Sequence, residues 1–274
     1  MREIEKTFQN LKKQGDAALV AYVTVGDPKP QHTPKIIEAL INGGVDIVEL
    51  GIPFSDPIAD GPTIQAATVR ALKAGTTPKI ALEIAREIKK EHSIPITILT
   101  YYNLIFRMGL ENFFRLARSH KVDGLIVPDL PVDEAHEYKK VSEAHEIDTI
   151  FLAAPSTSKE RLQKIIDYTS GFLYLVSLFG VTGAREKVQD LTIRQIKKFL
   201  PYTKGRIPLA VGFGISKPEH VKAVVESGAD GAIVGSAFVN IIQKNQGSTS
   251  KMLKEIEENA HKLKEATKRS RRSS

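Results

Sequence analysis

The sequence predicts an α/β protein that folds as a single (β/α)8 TIM barrel with an extra helix at its N-terminus. Eight short β-branched runs recur along the chain, and an amphipathic stretch follows each of them. The runs are almost continuously apolar, as expected of parallel strands that are covered on both faces. A doubly wound open sheet is the alternative, but it normally has fewer strands, and no GxGxxG turn follows the first run.

The predicted strands and helices alternate in order. The strands are 18–25, 45–50, 95–102, 124–128, 148–154, 171–178, 207–213 and 231–236. The segment MREIEKTFQNLKKQG precedes the first strand and is the extra helix. One face of PKIIEALINGG is apolar, and two glycines end this helix. Further helices are predicted in TIQAATVRALKAG, TPKIALEIAREIKKEH, LENFFRLARSH, VDEAHEYKKVSEAH, SKERLQKIIDYTS, TIRQIKKFL, KPEHVKAVVESG, SAFVNIIQKN and SKMLKEIEENAHKLKEATK.

Composition excludes several classes of protein. Hydrophobic residues make up 42% of the chain and charged residues 26%, and no apolar run approaches the roughly 20 residues that a membrane span needs. The charged N-terminus lacks the apolar core of a signal peptide, so we expect a cytoplasmic location. The absence of cysteine excludes disulfides, thiolate nucleophiles and thiolate metal sites.

The positive charge is concentrated at the C-terminus. We expect one barrel domain over residues 1–267 and a basic, disordered tail over 268–274. A net charge of +7 is compatible with a nucleic-acid partner, but four of the cations lie in the terminal KRSRRSS. We interpret these residues as a solvated tail and expect neither a nucleic-acid nor a membrane partner.

The segment ELGIPFSDPIADG places carboxylates where barrels carry chemistry. Catalytic groups of such barrels lie at the C-terminal ends of strands and in the following loops. Glu49 ends the second strand and Asp60 follows in its loop, so the two could meet over one substrate. Alternatively, Glu49 could pair with a cation, and Asp60 could be a turn or helix-cap residue. Asp56 precedes Pro57 and is interpreted as a turn residue.

Glycine-rich turns after the last two strands predict a phosphate site. AVGFGIS and IVGSAF each lead from a strand into a helix, where free N–H groups bind phosphate oxygens. The candidate residues are Gly212, Gly214, Gly235 and Ser236. The loop SLFGVTGAREK after the sixth strand could close over the substrate through Thr182, and the Gly183 N–H could join the phosphate site. A plain solvated loop is the alternative.

Other chemistries find little support in the sequence. The seven histidines fall in predicted helices or at their ends without a metal motif such as H-E-x-x-H, so no metal site is predicted. No lysine lies inside a strand core to form a Schiff base. The residues therefore indicate acid–base chemistry by carboxylates on a phosphorylated substrate.

The longest motif resembles a known family. ELGIPFSDPIADGPTIQ (49–65) closely resembles the most diagnostic motif of the tryptophan synthase α subunit family. Further motifs agree in order and spacing: YVTVGDP (22–28), LTYYN (99–103), GLIVPDLP (124–131), GVTGAR (180–185), VGFGIS (211–216) and IVGSAFV (233–239). The resemblance covers roughly residues 1–265.

The resemblance implies a reaction and a partner. Members cleave indole-3-glycerol phosphate to indole and glyceraldehyde 3-phosphate, a retro-aldol lyase step. They pass indole to a β subunit, which carries pyridoxal phosphate, within an α2β2 complex, and the α subunit itself needs no cofactor. By resemblance, Glu49 moves protons at indole C3 and at the glycerol hydroxyl, and Asp60 holds the indole N–H.

The resemblance also assigns individual residues. Those expected to bind substrate are Tyr22, Leu99, Thr100, Leu152, Tyr174 and Thr182, with Leu125 or Val127. Those expected at the phosphate are Gly183, Gly214, Gly235 and Ser236. Pro53 and Asp56 match the loop that faces the β subunit. Two alternatives stay open: a stand-alone lyase that releases free indole, and a regulatory barrel that activates a β subunit without useful catalysis.

Overall fold

The structure, a computed structural model, describes residues 1–177 and 185–269, without the side chains of residues 185–190. Its strands are β1 (Ala18–Thr24), β2 (Ile47–Gly51), β3 (Ile96–Leu99), β4 (Gly124–Ile126), β5 (Asp148–Ile150), β6 (Leu152–Ala153), β7 (Leu173–Val176), β8 (Leu209–Gly212) and β9 (Gly231–Val234). All pairings between these strands are parallel. The order around the sheet is β5–β4–β3–β2–β1–β9–β8–β7–β6.

The two outer strands of this order come from one segment of chain. Only Phe151 separates β5 from β6, and these strands pair with β4 and β7 respectively. The sheet therefore closes into a nearly complete barrel, which confirms the predicted fold class. The predicted fifth strand, 148–154, is broken at Phe151, whose ring packs outward between Tyr138 and Tyr168 at centroid distances of 6.2 and 6.3 Å.

Helices surround the barrel. They are α1 (Glu3–Gln14), α2 (Thr33–Asn42), α3 (Pro62–Lys73), α4 (Pro78–Glu91), α5 (Tyr102–Met108), α6 (Leu110–Ser119), α7 (His136–Ala144), α8 (Lys159–Tyr168), α9 (Arg185–Thr203), α10 (Pro218–Glu226), α11 (Ser236–Lys244) and α12 (Thr249–Glu265). Short 3-10 turns lie at Pro30–His32 and Val132–Glu134. The predicted strand 95–102 is too long, because Tyr102 already begins α5, a helix that the sequence analysis did not predict.

The core has two layers because strand residues alternate between the two faces of the sheet. Side chains such as Val20 and Ile47 fill the barrel interior, whereas Val48 and Leu50 pack against the helices. The predicted N-terminal helix α1 closes the N-terminal end of the barrel, and its Phe8 ring lies 5.8 Å from that of Phe172. The open end is therefore the C-terminal one.

Aspartates bind the N-terminal rim of the barrel together. Asp46 precedes β2, accepts the Leu19 N–H at 2.7 Å and pairs with Lys264 at 2.7 Å. Asp123 precedes β4 and is held in the same way, by the Ile96 N–H at 2.7 Å and by Lys89 at 2.9 Å. Each of these carboxylates therefore joins the start of its own strand to the start of a neighbour.

The C-terminal segment returns to the same rim. The Ala17 N–H donates to the Thr267 carbonyl, Lys268 pairs with Glu265, and the Arg269 guanidinium donates to the Ala229 carbonyl at 3.0 Å. Residues 270–274 lie outside the described part, so the domain limit at 267 stays a prediction. None of the helices in the described ranges combines the length and apolarity required to cross a membrane.

Candidate active site

Glu49 points into the C-terminal half of the barrel. It lies two residues after Ile47 in β2 and so shares its interior face, and its neighbours in the sheet are Tyr22 of β1 and Thr97 of β3. Its exposed fraction is only 1%. A carboxylate at such a position is costly to ionise, because burial removes the water that would solvate its charge.

The electrostatic state of Glu49 suits proton transfer. Its Oε2 atom is buried and has no hydrogen-bond partner among the described residues, and no cation of that part of the chain forms an ion pair with it. Burial, together with the negative charge of Asp60, raises the pKa of Glu49 to about 8. The carboxyl can therefore be either protonated or ionised near neutral pH, as a group that both donates and accepts a proton requires. The ion-pair alternative for Glu49 finds no partner in the described ranges.

Asp60 lies in the loop after β2 and is half-buried. Burial raises the pKa of its carboxyl, and a hydrogen-bonding contact with the Tyr101 hydroxyl opposes that rise. The helix-cap alternative does not hold, because Gly61 is the N-cap residue of α3 and Asp60 makes no capping bond. The negative charge of Asp60 contributes to the raised pKa of Glu49, so the two predicted catalytic carboxylates are close enough to interact.

The remainder of the loop divides into a buried start and an exposed middle. Pro53 is buried, whereas Asp56 is exposed and accepts a hydrogen bond from the Ser55 hydroxyl. Ile58 is 80% exposed, which is unusual for a large apolar side chain. Of the two residues predicted to face a partner, only Asp56 therefore lies on the surface of the isolated chain.

Two tyrosines line the interior beside Glu49. Tyr22 and Tyr174 are both buried, and the negative charge of Glu49 contributes to raising the pKa of each hydroxyl, after the larger effect of burial. The Tyr22 ring lies over Gly51, and the Tyr174 ring lies over Gly212, where any side chain would collide with the hydroxyl. The packing of Tyr174 thus accounts for the glycine at 212 without a ligand.

The residues predicted to form the apolar wall of the indole pocket do not all face the barrel interior. Leu99 belongs to the interior cluster, and Leu152 packs against it. On β4, however, Ile126 faces the interior, whereas Leu125 and Val127 belong to the outer layer, as the alternation of a strand requires. Thr100 is fully buried, and its hydroxyl has no hydrogen-bond partner among the described residues.

The predicted phosphate turns are neighbours, because β8 and β9 pair directly. Gly235 is the N-cap of α11 and makes no side-chain cap bond, and Gly235 and Ser236 are both half-exposed. The N–H groups of such a helix start are oriented to bind an anion. Ser236 therefore lies at a suitable position for a phosphate oxygen.

A strained residue in the other turn was missed by the sequence analysis. Phe213 has φ 68° and the next residue, Gly214, has φ 71°, so two consecutive residues are left-handed. This conformation is uncommon for a side chain as bulky as phenylalanine, and such strain clusters at ligand sites. Ser177 stabilises it, since its N–H donates to the Gly212 carbonyl and its hydroxyl to the Phe213 carbonyl. The only signal in the sequence is that Phe213 stands between two glycines.

The last two predicted site residues belong to the loop after the sixth predicted strand. Thr182 and Gly183 lie outside the described residues. In the described ranges, no group of three or more histidine, aspartate or glutamate side chains could hold a metal ion. Some histidines pair with other side chains, for example His145 with Glu111 at 2.6 Å.

Comparisons with known proteins all identify the same family. The family model described as tryptophan synthase alpha chain matches residues 8–268. The tryptophan synthase alpha chain of Methanothermobacter thermautotrophicus is 45% identical over 255 residues, which are 93% of this chain and 94% of the relative.

Solved structures agree with the sequence relatives. The tryptophan synthase subunit alpha of Legionella pneumophila has a TM-score of 0.90 at 35% identity, covering 97% of this chain and 98% of that one. A structure from Pyrococcus furiosus, described as the structural basis of mutual activation of the tryptophan synthase α2β2 complex, has a TM-score of 0.85 at 42% identity. The structural match covers 91% of this chain and 98% of the Pyrococcus furiosus chain.

Proposed function

Because the chain belongs to the tryptophan synthase alpha chain family, we propose that it cleaves indole-3-glycerol phosphate to indole and glyceraldehyde 3-phosphate in tryptophan biosynthesis. The observation that carries this proposal is the pair of carboxylates at the open end of the barrel. Glu49 is buried without a cation partner in the described part of the chain, and Asp60 faces the same space.

The retro-aldol step needs a proton that moves twice. Glu49, protonated near neutral pH because of its raised pKa, delivers its proton to C3 of the indole ring. The resulting carboxylate then takes the proton of the hydroxyl on the glycerol carbon that is bonded to indole C3. The C–C bond breaks, its electrons return to the indole ring, and the aldehyde forms. Glu49 ends in its starting protonation state.

The indole nitrogen becomes positively charged when C3 is protonated. Asp60 accepts the indole N–H and stabilises this charge, provided that its own carboxyl is ionised. The side chains of Tyr22, Leu99 and Tyr174 form the pocket for the ring, and Thr100 contributes beside Leu99. Burial of these side chains excludes water, which strengthens the interaction between Asp60 and the developing charge.

The phosphate group fixes the other end of the substrate. Ser236 and Gly235 supply the start of α11, and the left-handed turn at Gly214 supplies further backbone N–H groups. We assign Thr182 to closure over Asp60 and Gly183 to the phosphate site by family resemblance alone. Gly212 supports the site by making room for Tyr174.

The partner is a tryptophan synthase β subunit in an α2β2 complex, as the description of the Pyrococcus furiosus structure states for that protein. The loop with exposed Asp56 and Ile58 is the surface that we assign to this contact. Pyridoxal phosphate on the β subunit, a cytoplasmic location and a C-terminal tail without a nucleic-acid partner stay predictions.

The test is to incubate the purified chain with indole-3-glycerol phosphate and to follow indole, with and without a β subunit. Slow turnover that rises sharply with the β subunit supports the proposal. Fast turnover by the chain alone favours the stand-alone lyase. Binding of substrate without release of indole in either case favours the regulatory barrel.

A further inference from the structure

The side chain of Tyr101 links the end of β3 to the loop that carries Asp60. Tyr101 is 2% exposed, and its hydroxyl accepts the Ala59 N–H at 3.2 Å. Its ring packs on Phe54, with ring centroids 5.3 Å apart. One rigid side chain therefore contacts the loop near its start, at Phe54, and again at the residue before Asp60.

The same hydroxyl is also placed to donate. Because its oxygen accepts from Ala59, its proton is free for the neighbouring Asp60 carboxylate, and this contact lowers the pKa of Asp60. Burial raises the pKa of the Tyr101 hydroxyl above its ordinary value, so the group stays protonated and remains a donor. The donor thus favours the ionised form of Asp60, which is the form that can accept an N–H.

The opposite end of the loop is held independently. Arg70 of α3 pairs with buried Asp27 through two hydrogen bonds, of 2.7 and 2.8 Å. The last turn of α3 is therefore anchored on the loop after β1, and near the start of the helix the Gln65 amide donates to the Asp60 carbonyl at 2.8 Å. With the backbone after Asp60 held from α3, the contact at Ala59 fixes the backbone before it.

We propose that Tyr101 is a positioning residue that holds the Ala59–Asp60 backbone and aims the Asp60 carboxylate at the indole N–H. This inference rests on the proposed function of Asp60. It assigns to Tyr101 no proton of the reaction itself, only the placement and the ionised state of the group that meets the substrate. Preorganised groups of this kind gain their effect because they need not be reoriented in the transition state.

The test removes the hydroxyl of Tyr101 and keeps its ring. Tyr101→Phe retains the contact with Phe54 but loses the hydroxyl, and Tyr102→Phe is the matched control, one residue along the chain. We expect Tyr101→Phe to lower kcat at least about tenfold, with a smaller change in KM, because a misplaced group affects the transition state most. Tyr102→Phe retains the wild-type kcat.

The pH profile supplies a readout that a purely structural role would not change. Without the Tyr101 donor, the pKa of Asp60 rises, so the acidic limb of kcat/KM moves to higher pH. Thermal unfolding of each variant checks that the fold is retained. A wild-type kcat together with an unshifted acidic limb in Tyr101→Phe overturns the inference.

A double-mutant cycle separates this inference from the proposed function. In an Asp60→Asn background, measured with excess enzyme so that slow rates are accessible, Tyr101→Phe should cause little further loss. An equal loss in both backgrounds means that Tyr101 does not act through Asp60, and the inference fails while the proposed function stands. Wild-type turnover of Asp60→Asn itself contradicts the proposed role of Asp60.

Discussion

Asp46 and Glu49 belong to the same short stretch of chain, yet their environments are opposite. Asp46 stands just before β2, whereas Glu49 is the middle residue of this five-residue strand rather than at its end as predicted. Asp46 accepts the Leu19 N–H and pairs with Lys264 at the N-terminal rim. Glu49 has an unpartnered buried oxygen and no ion pair among the described residues. The same functional group therefore stabilises the barrel at one end and is left available for chemistry at the other, as the division of labour between the faces of such barrels suggests.

The cations and N–H groups around a carboxylate, rather than its residue type, therefore decide its role. At the rim, burial still raises the pKa of Asp46 and Asp123, but cations and backbone N–H groups oppose that rise. At the open end, no cation or N–H group in the described part of the chain opposes the effect of burial on Glu49. Its pKa is therefore raised to about 8, and the carboxyl keeps its proton at neutral pH. An unfavourable environment of this kind is what the proposed acid–base role of Glu49 requires.

Replacing Glu49 should give the largest effect. Glu49→Gln keeps the size of the side chain and removes the titrating group, so we expect indole release to fall at least about 10³-fold with the fold intact. Steady-state assays in the presence of the β subunit measure the loss. A variant that retained most of its activity would remove Glu49 from the mechanism.

The same substitution should change how stability depends on pH. Between its ordinary value of 4.5 and its folded value of about 8, Glu49 holds a proton in the folded chain and has lost it in the unfolded one. The free energy of unfolding contributed by this group therefore falls as pH rises, by up to about 1.4 kcal/mol per pH unit.

Urea unfolding of wild type and Glu49→Gln at several pH values tests this sign. The Gln variant should gain stability relative to wild type as pH rises from 5 to 8, because glutamine carries no charge to bury. Parallel stability curves for the two proteins would show that Glu49 has no raised pKa.

Replacing a rim aspartate should have the opposite consequence. Asp123→Ala removes the acceptor of the Ile96 N–H and the carboxylate partner of Lys89, whose ammonium keeps only the Ile94 carbonyl, so we expect about 2–3 kcal/mol less free energy of unfolding. Turnover by the folded fraction should be unchanged. Asp133→Ala is the control, since its pairs with Lys164 and Arg161 are exposed and should contribute little. Equal stabilities of the two variants would contradict the structural role of the rim.

Removing the end of the chain should have the smallest effect. Residues 270–274 follow Arg269, which contacts the N-terminal rim, far from the open end. Deleting them should leave indole release unchanged, and the assay described for Glu49→Gln measures it. A large loss of activity would contradict the separation between the two ends of the barrel.

The sequence predicts the catalytic end better than the rim. Glu49 and Asp60 stand in one long motif, and the barrel rule places a strand-end acid at the open end. The rim aspartates carry a weaker signal that the sequence analysis did not use. Asp46, Asp123 and Asp230, the last of which accepts the Leu209 N–H at 2.9 Å, each stand directly before a strand, after a small or β-branched residue.

Details that depend on packing between distant residues were not predictable. The contact of Tyr101 with Ala59 joins residues 42 positions apart, and no local pattern marks it. The break at Phe151 depends on where the barrel closes. The left-handed Phe213 contradicts the local preference of its residue type, as functional sites often do.

The most direct test of the account is to titrate the Glu49 carboxyl itself. Infrared difference spectra between wild type and Glu49→Gln isolate the band of its protonated form as pH is raised. With a pKa of about 8 for Glu49, we expect this band to persist through neutral pH and to disappear near pH 8. Disappearance near the ordinary value of 4.5 would show that Glu49 is ionised at neutral pH and would contradict the distinction between Glu49 and the paired acids of the rim.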